Sequence, residues 1–223
     1  MIIRGLNFDG VGSGLDGIRF ASGAQLSVEQ CFIFGFTQNG IEVALAAGAD
    51  VYITNTYITN VNKGIFANTT TGVTIVSVSN TNVLNVNANG FEAQNGIIAT
   101  VTGSAFTSAA NGVMASGASQ INVESSTLIN NGVGINASVG NTTIRVSNNS
   151  MYNNGTNFNY NWSDGRNDQQ QQGHSRRRDR SECHHHAAIV DRSRVWRPGL
   201  SRPLLLWLCC LRIQSRNNLL GVP

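Results

Sequence analysis

Apolar and polar residues alternate along most of this chain, and the alternation returns to the same register again and again. A glycine followed by an apolar residue recurs as Gly17-Ile18, Gly40-Ile41, Gly64-Ile65, Gly90-Phe91, Gly112-Val113 and Gly134-Ile135, at intervals of 23, 24, 26, 22 and 22 residues. Aligned on that dipeptide, two further apolar columns emerge. One reads Val28, Ile53, Val78, Val101, Val123, Val146, and the other, five residues later in each unit, reads Ile33, Ile58, Val83, Phe106, Leu128, Met151. Around them the pattern has a period of two, as in Leu26-x-Val28 and Ile121-x-Val123, which is the period of a strand with one side chain in and the next out. The β-branched choices and the lack of helical spacing agree.

A unit of three short strands cannot bury its own inner face, so copies have to stack. Stacking at about 4.8 Å per coil puts equivalent residues over one another in ladders. The spacing therefore predicts an all-β protein, a parallel β-helix of about seven coils beginning near Ile2, Leu26, Val51, Val76, Ala99, Ile121 and Ile144. Rival repeat folds fit less well. The leucine-rich consensus is missing, hexapeptide coils would have a period near 18, the calcium-binding nonapeptide is absent, and a β-sandwich would not keep one superimposable register.

The coils LSVEQCFIFGFTQNGIEV and INVESSTLINNGVGINA resemble the right-handed parallel β-helix repeats of the pectin-lyase-like superfamily, in particular bacterial right-handed β-helix domain proteins, over about residues 2 to 160. The resemblance implies a right-handed coil and a secreted or cell-surface setting. It does not choose a function, because lyases, polygalacturonases, uronate epimerases, phage tailspikes and adhesins share the scaffold.

Composition changes the picture at residue 172. All three Pro, all four His and three of the four Cys lie beyond it. Residues 1 to 172 carry a net charge of −4, the remaining 51 a net +7, so the overall charge of +3 belongs to the tail and argues for no nucleic-acid partner of the body. We divide the chain into a β-helix over 1–165 and an irregular tail over 166–223. The tail offers an arginine cluster (Arg176, Arg177, Arg178, Arg180), a Cys183, His184, His185, His186 run and a Cys209-Cys210 pair. These lack the spacing of a zinc site or the setting of a nucleic-acid-binding fold. The Gln169–Gln172 run downstream of Asn-rich sequence suggests a reading-frame shift, with a disordered or loosely helical appendage as the alternative. No apolar run reaches the roughly 18 residues of a membrane span, and MIIRGLNFDG has no signal-peptide pattern. The chain also enters the repeat without a capping element, which leads us to expect lost upstream coils and self-association through exposed coil ends.

Candidate chemistry is sparse. The outward columns read Arg4, Glu29, Thr54, Ser79, Thr102, Glu124, Ser147 on the first strand and Arg19, Glu42, Phe66, Glu92, Met114, Asn136 on the third. Arg4 with Glu29, and Arg19 with Glu42, are expected to pair across coils; the alternative is a basic patch for sugar acids. Neither Glu92 nor Glu124 has an acidic neighbour in its own column, as a two-carboxylate hydrolase needs. A polygalacturonase-like signature is missing, and residues 1 to 172 contain no His. No catalytic residue, metal site or cofactor is assigned. Thr56, Thr81, Ser104, Ser126 and Asn149 continue a column begun by Cys31, read as structural, with Cys31 a buried small residue. Asn39, Asn89 and Asn111 precede the recurring glycine, and these Asn-Gly pairs are expected to supply turn geometry, including positive φ.

The remaining feature is aromatic: Phe32 and Tyr57 occupy one outward position on successive coils, with Phe34 and Tyr52 nearby. Such a cluster can stack on sugar rings, the alternative being that it shields the ladder or packs under another segment. The expected function is a non-catalytic secreted or surface β-helix module, carbohydrate-associated through these four residues. The alternative is a polysaccharide lyase, hydrolase or epimerase whose catalytic coils are missing or degenerate.

Overall fold

The computed structural model describes residues 1–138 and 141–160. They form an all-β, right-handed parallel solenoid with no helix. Among the described residues, 21 strands make three parallel sheets of seven strands each, one strand per coil in each sheet. The first sheet contains Ile2–Arg4, Gln25–Glu29, Asp50–Thr54, Thr74–Ser79, Ile97–Thr102, Gln120–Glu124 and Thr143–Ser147. The second contains Asn7–Asp9, Phe32–Phe34, Tyr57–Val61, Asn82–Val86, Ala105–Thr107, Thr127–Ile129 and Ser150–Tyr152. The third contains Ile18–Phe20, Asn39–Leu45, Lys63–Thr69, Asn89–Ala93, Asn111–Ala115, Val133–Ala137 and Thr156–Tyr160.

The apolar columns are the ladders of these sheets. Val28 pairs with Ile3 and Ile53, and the series runs on through Val78, Val101, Val123 and Val146. The second column starts at Phe8 and ends at Met151. The third runs from Ile18 to Phe158. Their middle members, such as Ile53, Ile58, Ile65, Val78 and Phe91, are wholly buried in one continuous core. Each such side chain contributes about 1.5–3 kcal/mol on burial. Ile2 is one position out of the column: it stands opposite Ser27 and points to solvent.

Two of the three corners are built the same way in nearly every coil. Gly5, Gln30, Asn55, Asn80, Gly103, Ser125 and Asn148 turn the chain from the first sheet to the second in the left-handed conformation. Gly35, Asn60, Asn85, Ser108, Asn130 and Asn153 do so between the second and third. Asn suits these positions because its short polar side chain tolerates positive φ. The first corner never varies, and five residues separate the first and second columns in every coil. Variation in coil length falls at the other two corners: seven to ten residues separate the second column from the third, and ten to thirteen separate the third from the first column of the next coil.

The recurring glycine does a different job from the one its Asn-Gly sequence suggests. Gly17, Gly40, Gly64, Gly90, Gly112 and Gly134 are absent from the residues with positive φ, as are Asn39, Asn89 and Asn111. Room is what they lack. A Cβ on Gly64 would lie 2.3 Å from Val83 Cγ1 and 2.5 Å from the carbonyl oxygen of Gly90 in the next coil, and the other five are similarly confined. Glycine is kept where the third strand enters the stack because successive coils approach too closely there for a side chain.

The polar column behind Cys31 satisfies backbone that would otherwise be orphaned in the core. The hydroxyl of Thr81 donates to Ser79 O at 3.0 Å and accepts from the amide of Thr56 at 3.5 Å, and the amide of Thr81 in turn donates to Ser104 Oγ at 3.2 Å. Thr56, Ser104 and Ser126 repeat the arrangement, and Asn149 ends the series by accepting from the Ser126 amide. Cys31 keeps the same local geometry with a weaker donor, its Sγ lying 3.4 Å from Glu29 O. The 166–223 division, its arginine and histidine clusters and Cys209-Cys210 lie outside the described residues.

Candidate functional site

The aromatic cluster sits on the outer face of the second sheet. Phe32 and Tyr57 are direct ladder partners on adjacent strands, and Phe34 follows Phe32 on the same face two residues on. Their rings touch: Phe32 to Tyr57 is 5.1 Å between centroids at 44°, Phe32 to Phe34 is 4.9 Å at 33°. Phe32 and Tyr57 remain 36% and 39% exposed. The rings lean on one another rather than into the core, because inward positions on these strands are taken by Ile33 and Ile58.

Tyr52 is separate. It lies on the first sheet, laddered with Ser27 and Ser77, and makes no ring contact with the other three. Around the remaining triad the same face carries short polar residues. Asn7 and Asn82 flank Phe32 and Tyr57 in their own column, and Asp9 and Thr59 flank Phe34 in the next. Asp9 is partly committed, its Oδ1 accepting from the amide of Val11 at 2.8 Å.

Both expected ion pairs form. Arg4 Nη2 lies 2.5 Å from Glu29 Oε2, and Ser27 Oγ donates to Glu29 Oε1 at 2.8 Å. The Ser27 hydroxyl and then the arginine hold the Glu29 carboxyl below its ordinary range. Arg19 Nε lies 2.8 Å from Glu42 Oε2. That contact lacks the alignment of a hydrogen bond, so a buried carboxylate oxygen has a counter-charge but no donor. Burial, and then the negative charge of Asp16, push the Glu42 carboxyl up. Asp16 is anchored in turn by the amide and Nδ2 of Asn39, at 3.1 and 2.8 Å.

Comparison within columns missed two features. Asp16 reaches Glu42 from the neighbouring column, and Lys63 reaches Glu92 the same way. The ladder partners of Glu92 in its own column, Phe66 and Met114, are both uncharged. Yet Lys63 Nζ is 2.9 Å from its Oε2, with the lysine also 4.3 Å above the Phe66 ring. Asn89 Nδ2 and Gln94 Nε2 complete the carboxylate at 2.5 and 2.7 Å. From Asn89 a chain of side-chain amides runs on through Asn111, Asn136 and Asn159. The signal available in the sequence was the placement of Lys63 and Asn89 three residues before Phe66 and Glu92.

Elsewhere the described surface offers little chemistry. No three His, Cys, Asp or Glu side chains among the described residues converge as metal ligands, and those residues contain no helix long and apolar enough to cross a membrane. An open hollow of about 390 Å³ lies at the corner between the third and first sheets, lined by Ala24, Gly48, Ala49, Asp50, Val73 and Ile75. The geometry defines a β-helix module with an aromatic cluster on one outer face. Searches against protein-family models, curated proteins and solved structures return no match to this chain.

Proposed function

We propose that this chain is a non-catalytic, carbohydrate-associated β-helix module of the kind displayed by secreted or surface proteins, on a scaffold like that of the pectin-lyase-like superfamily. One observation carries this reading: a run of three rings on the second sheet, Phe32 touching both Phe34 and Tyr57, two of them more than a third exposed, held on strands and flanked by Asn, Asp and Thr. Aromatic faces bind the C–H faces of sugars, and neighbouring amides and hydroxyls bind their hydroxyls. Rigid strands keep the rings in place before a ligand arrives, which lowers the ordering cost of binding.

The test is affinity electrophoresis in gels containing single polysaccharides, comparing the natural chain with a Phe32→Ala, Tyr57→Ala double variant. Retardation that the double variant loses, at an unchanged unfolding midpoint, supports the reading. Equal mobility in every gel overturns it.

A second reading, a polysaccharide-acting enzyme, is favoured by the Asp16 and Glu42 carboxyls, one of them pushed toward its protonated form beside Arg19. A raised carboxyl is the form a general acid needs. Incubation with uronic-acid polymers, followed at the absorbance of unsaturated products and by reducing-end assay, supports this reading if product forms and a Glu42→Gln variant makes none.

A further inference from the structure

We infer that the aromatic face selects neutral glycans over uronic-acid polymers, an inference that rests on the carbohydrate reading proposed above. The outer face of the second sheet carries one charged residue among its seven strands, Asp9, and that charge is negative. Asp9 is the ladder partner of Phe34, so a carboxylated sugar stacked on the rings would meet a like charge beside it. Among the described residues no basic side chain is placed to offset this. The described residues include four basic side chains, Arg4, Arg19, Lys63 and Arg145.

Three of these are occupied. Arg19 and Lys63 are on the third sheet, against Glu42 and Glu92. Arg145 is on the first sheet in the seventh coil, four strands beyond that of Tyr52, and thus far from rings in the second and third coils. Arg4 is the only one close by, one corner away from Asn7–Asp9, the strand that pairs with that of Phe32. It is held by Glu29 through two contacts, Nη2 at 2.5 Å and Nε at 2.8 Å to the same oxygen. Glu29 is kept ionised by Ser27, so the pair is electrically closed.

A uronate would bring one carboxylate per sugar to this face and would leave each unpaired where it lost water. A neutral pyranose brings only hydroxyls, which Asn7, Asn82, Thr59 and the accepting oxygens of Asp9 match as donors and acceptors. The selectivity is thus a matter of what the face withholds: ring stacking is available to both polymers, and a counter-charge to neither.

Titration calorimetry with xyloglucan, mixed-linkage β-glucan and galactomannan on one side, and polygalacturonate and alginate on the other, tests this at moderate salt. At least a tenfold preference for one of the neutral polymers is expected. A Glu29→Gln variant, which releases Arg4, is expected to narrow that preference several-fold by strengthening polygalacturonate binding. Equal or tighter binding of the acidic polymers by the natural chain overturns the selectivity while leaving carbohydrate binding intact. Absence of binding to all five overturns the carbohydrate reading itself, and the selectivity with it.

Discussion

Lys63 and Glu92 meet across adjacent coils of the third sheet, Nζ to Oε2 at 2.9 Å, with the glutamate side chain only 4% exposed. Removing either partner leaves the other without its counter-ion in a protected place. Lys63→Met is expected to cost about 3–5 kcal/mol, the range for breaking a buried pair. The double variant Lys63→Met, Glu92→Met should recover most of that loss. Urea unfolding of the three proteins decides it, and additive effects of the two substitutions would show that the pair is not coupled.

The glycine at the entrance to the third strand is under steric demand. Gly64→Ala puts a Cβ 2.3 Å from Val83 and 2.5 Å from the Gly90 carbonyl, so the coils must separate. Overpacking of this kind costs about 1–3 kcal/mol. Gly12→Ala is the contrast: its φ of 72° strains an alanine, but nothing lies within 4 Å of the added methyl. Thermal unfolding should show the Gly64 variant with the lower midpoint; equal midpoints would remove the argument from close approach.

Within the hydroxyl column, Thr81→Val keeps shape and deletes a donor and an acceptor. The Thr56 amide loses its acceptor, at about 1–3 kcal/mol for a buried group, while the Ser79 carbonyl keeps the Asn55 amide at 3.1 Å. Thr81→Ser should restore nearly all of it. Denaturant midpoints for the two variants test this, and a Val variant as stable as the natural chain would deny the column a structural role.

Glu42 and Glu29 give the protein opposing pH sensitivities. With its carboxyl raised in the fold, Glu42 binds its proton more tightly there than in the unfolded chain. Stability is therefore greatest, for this group, below its ordinary value of 4.5 and falls as pH rises through the raised value. Glu29, lowered in the fold, contributes above 4.5, and its contribution is lost as pH falls through the lowered value. Glu42→Gln is expected to raise the unfolding midpoint at neutral pH and to have less effect near pH 4. A gain that does not depend on pH would show that the carboxyl's titration is not the cause.

Much of the fold was legible because a solenoid writes its tertiary contacts into its period. Val28 and Ile53 are ladder neighbours for the same reason that they are 25 residues apart in a repeat of that length. The seventh strand of the third sheet escaped the Gly-apolar pattern because Asn157 stands where the others have glycine, and only Phe158 keeps the column. Diagonal contacts were hidden as well. A column shows which residues stack, but long side chains such as Lys63 and Glu42 reach sideways, and that reach depends on rotamers no period encodes. Tyr52 was grouped with Phe32, Phe34 and Tyr57 by sequence distance. The left-handed corner at Asn55 sends its strand and that of Tyr57 into different sheets.

The invariant first corner assigns each stretch of the coil a different tolerance for added sequence. One extra residue there would invert every side chain of the strand that follows, driving Tyr57 or Phe32 into the core and Ile58 or Ile33 into water. The run from the third sheet back to the first already differs in length from coil to coil, and lengthening it further adds only slowly to the cost of closing the loop. New loops, tags or grafted recognition segments belong at that third corner, beside the hollow at Gly48 and Val73, where the frame of the solenoid does not register their presence.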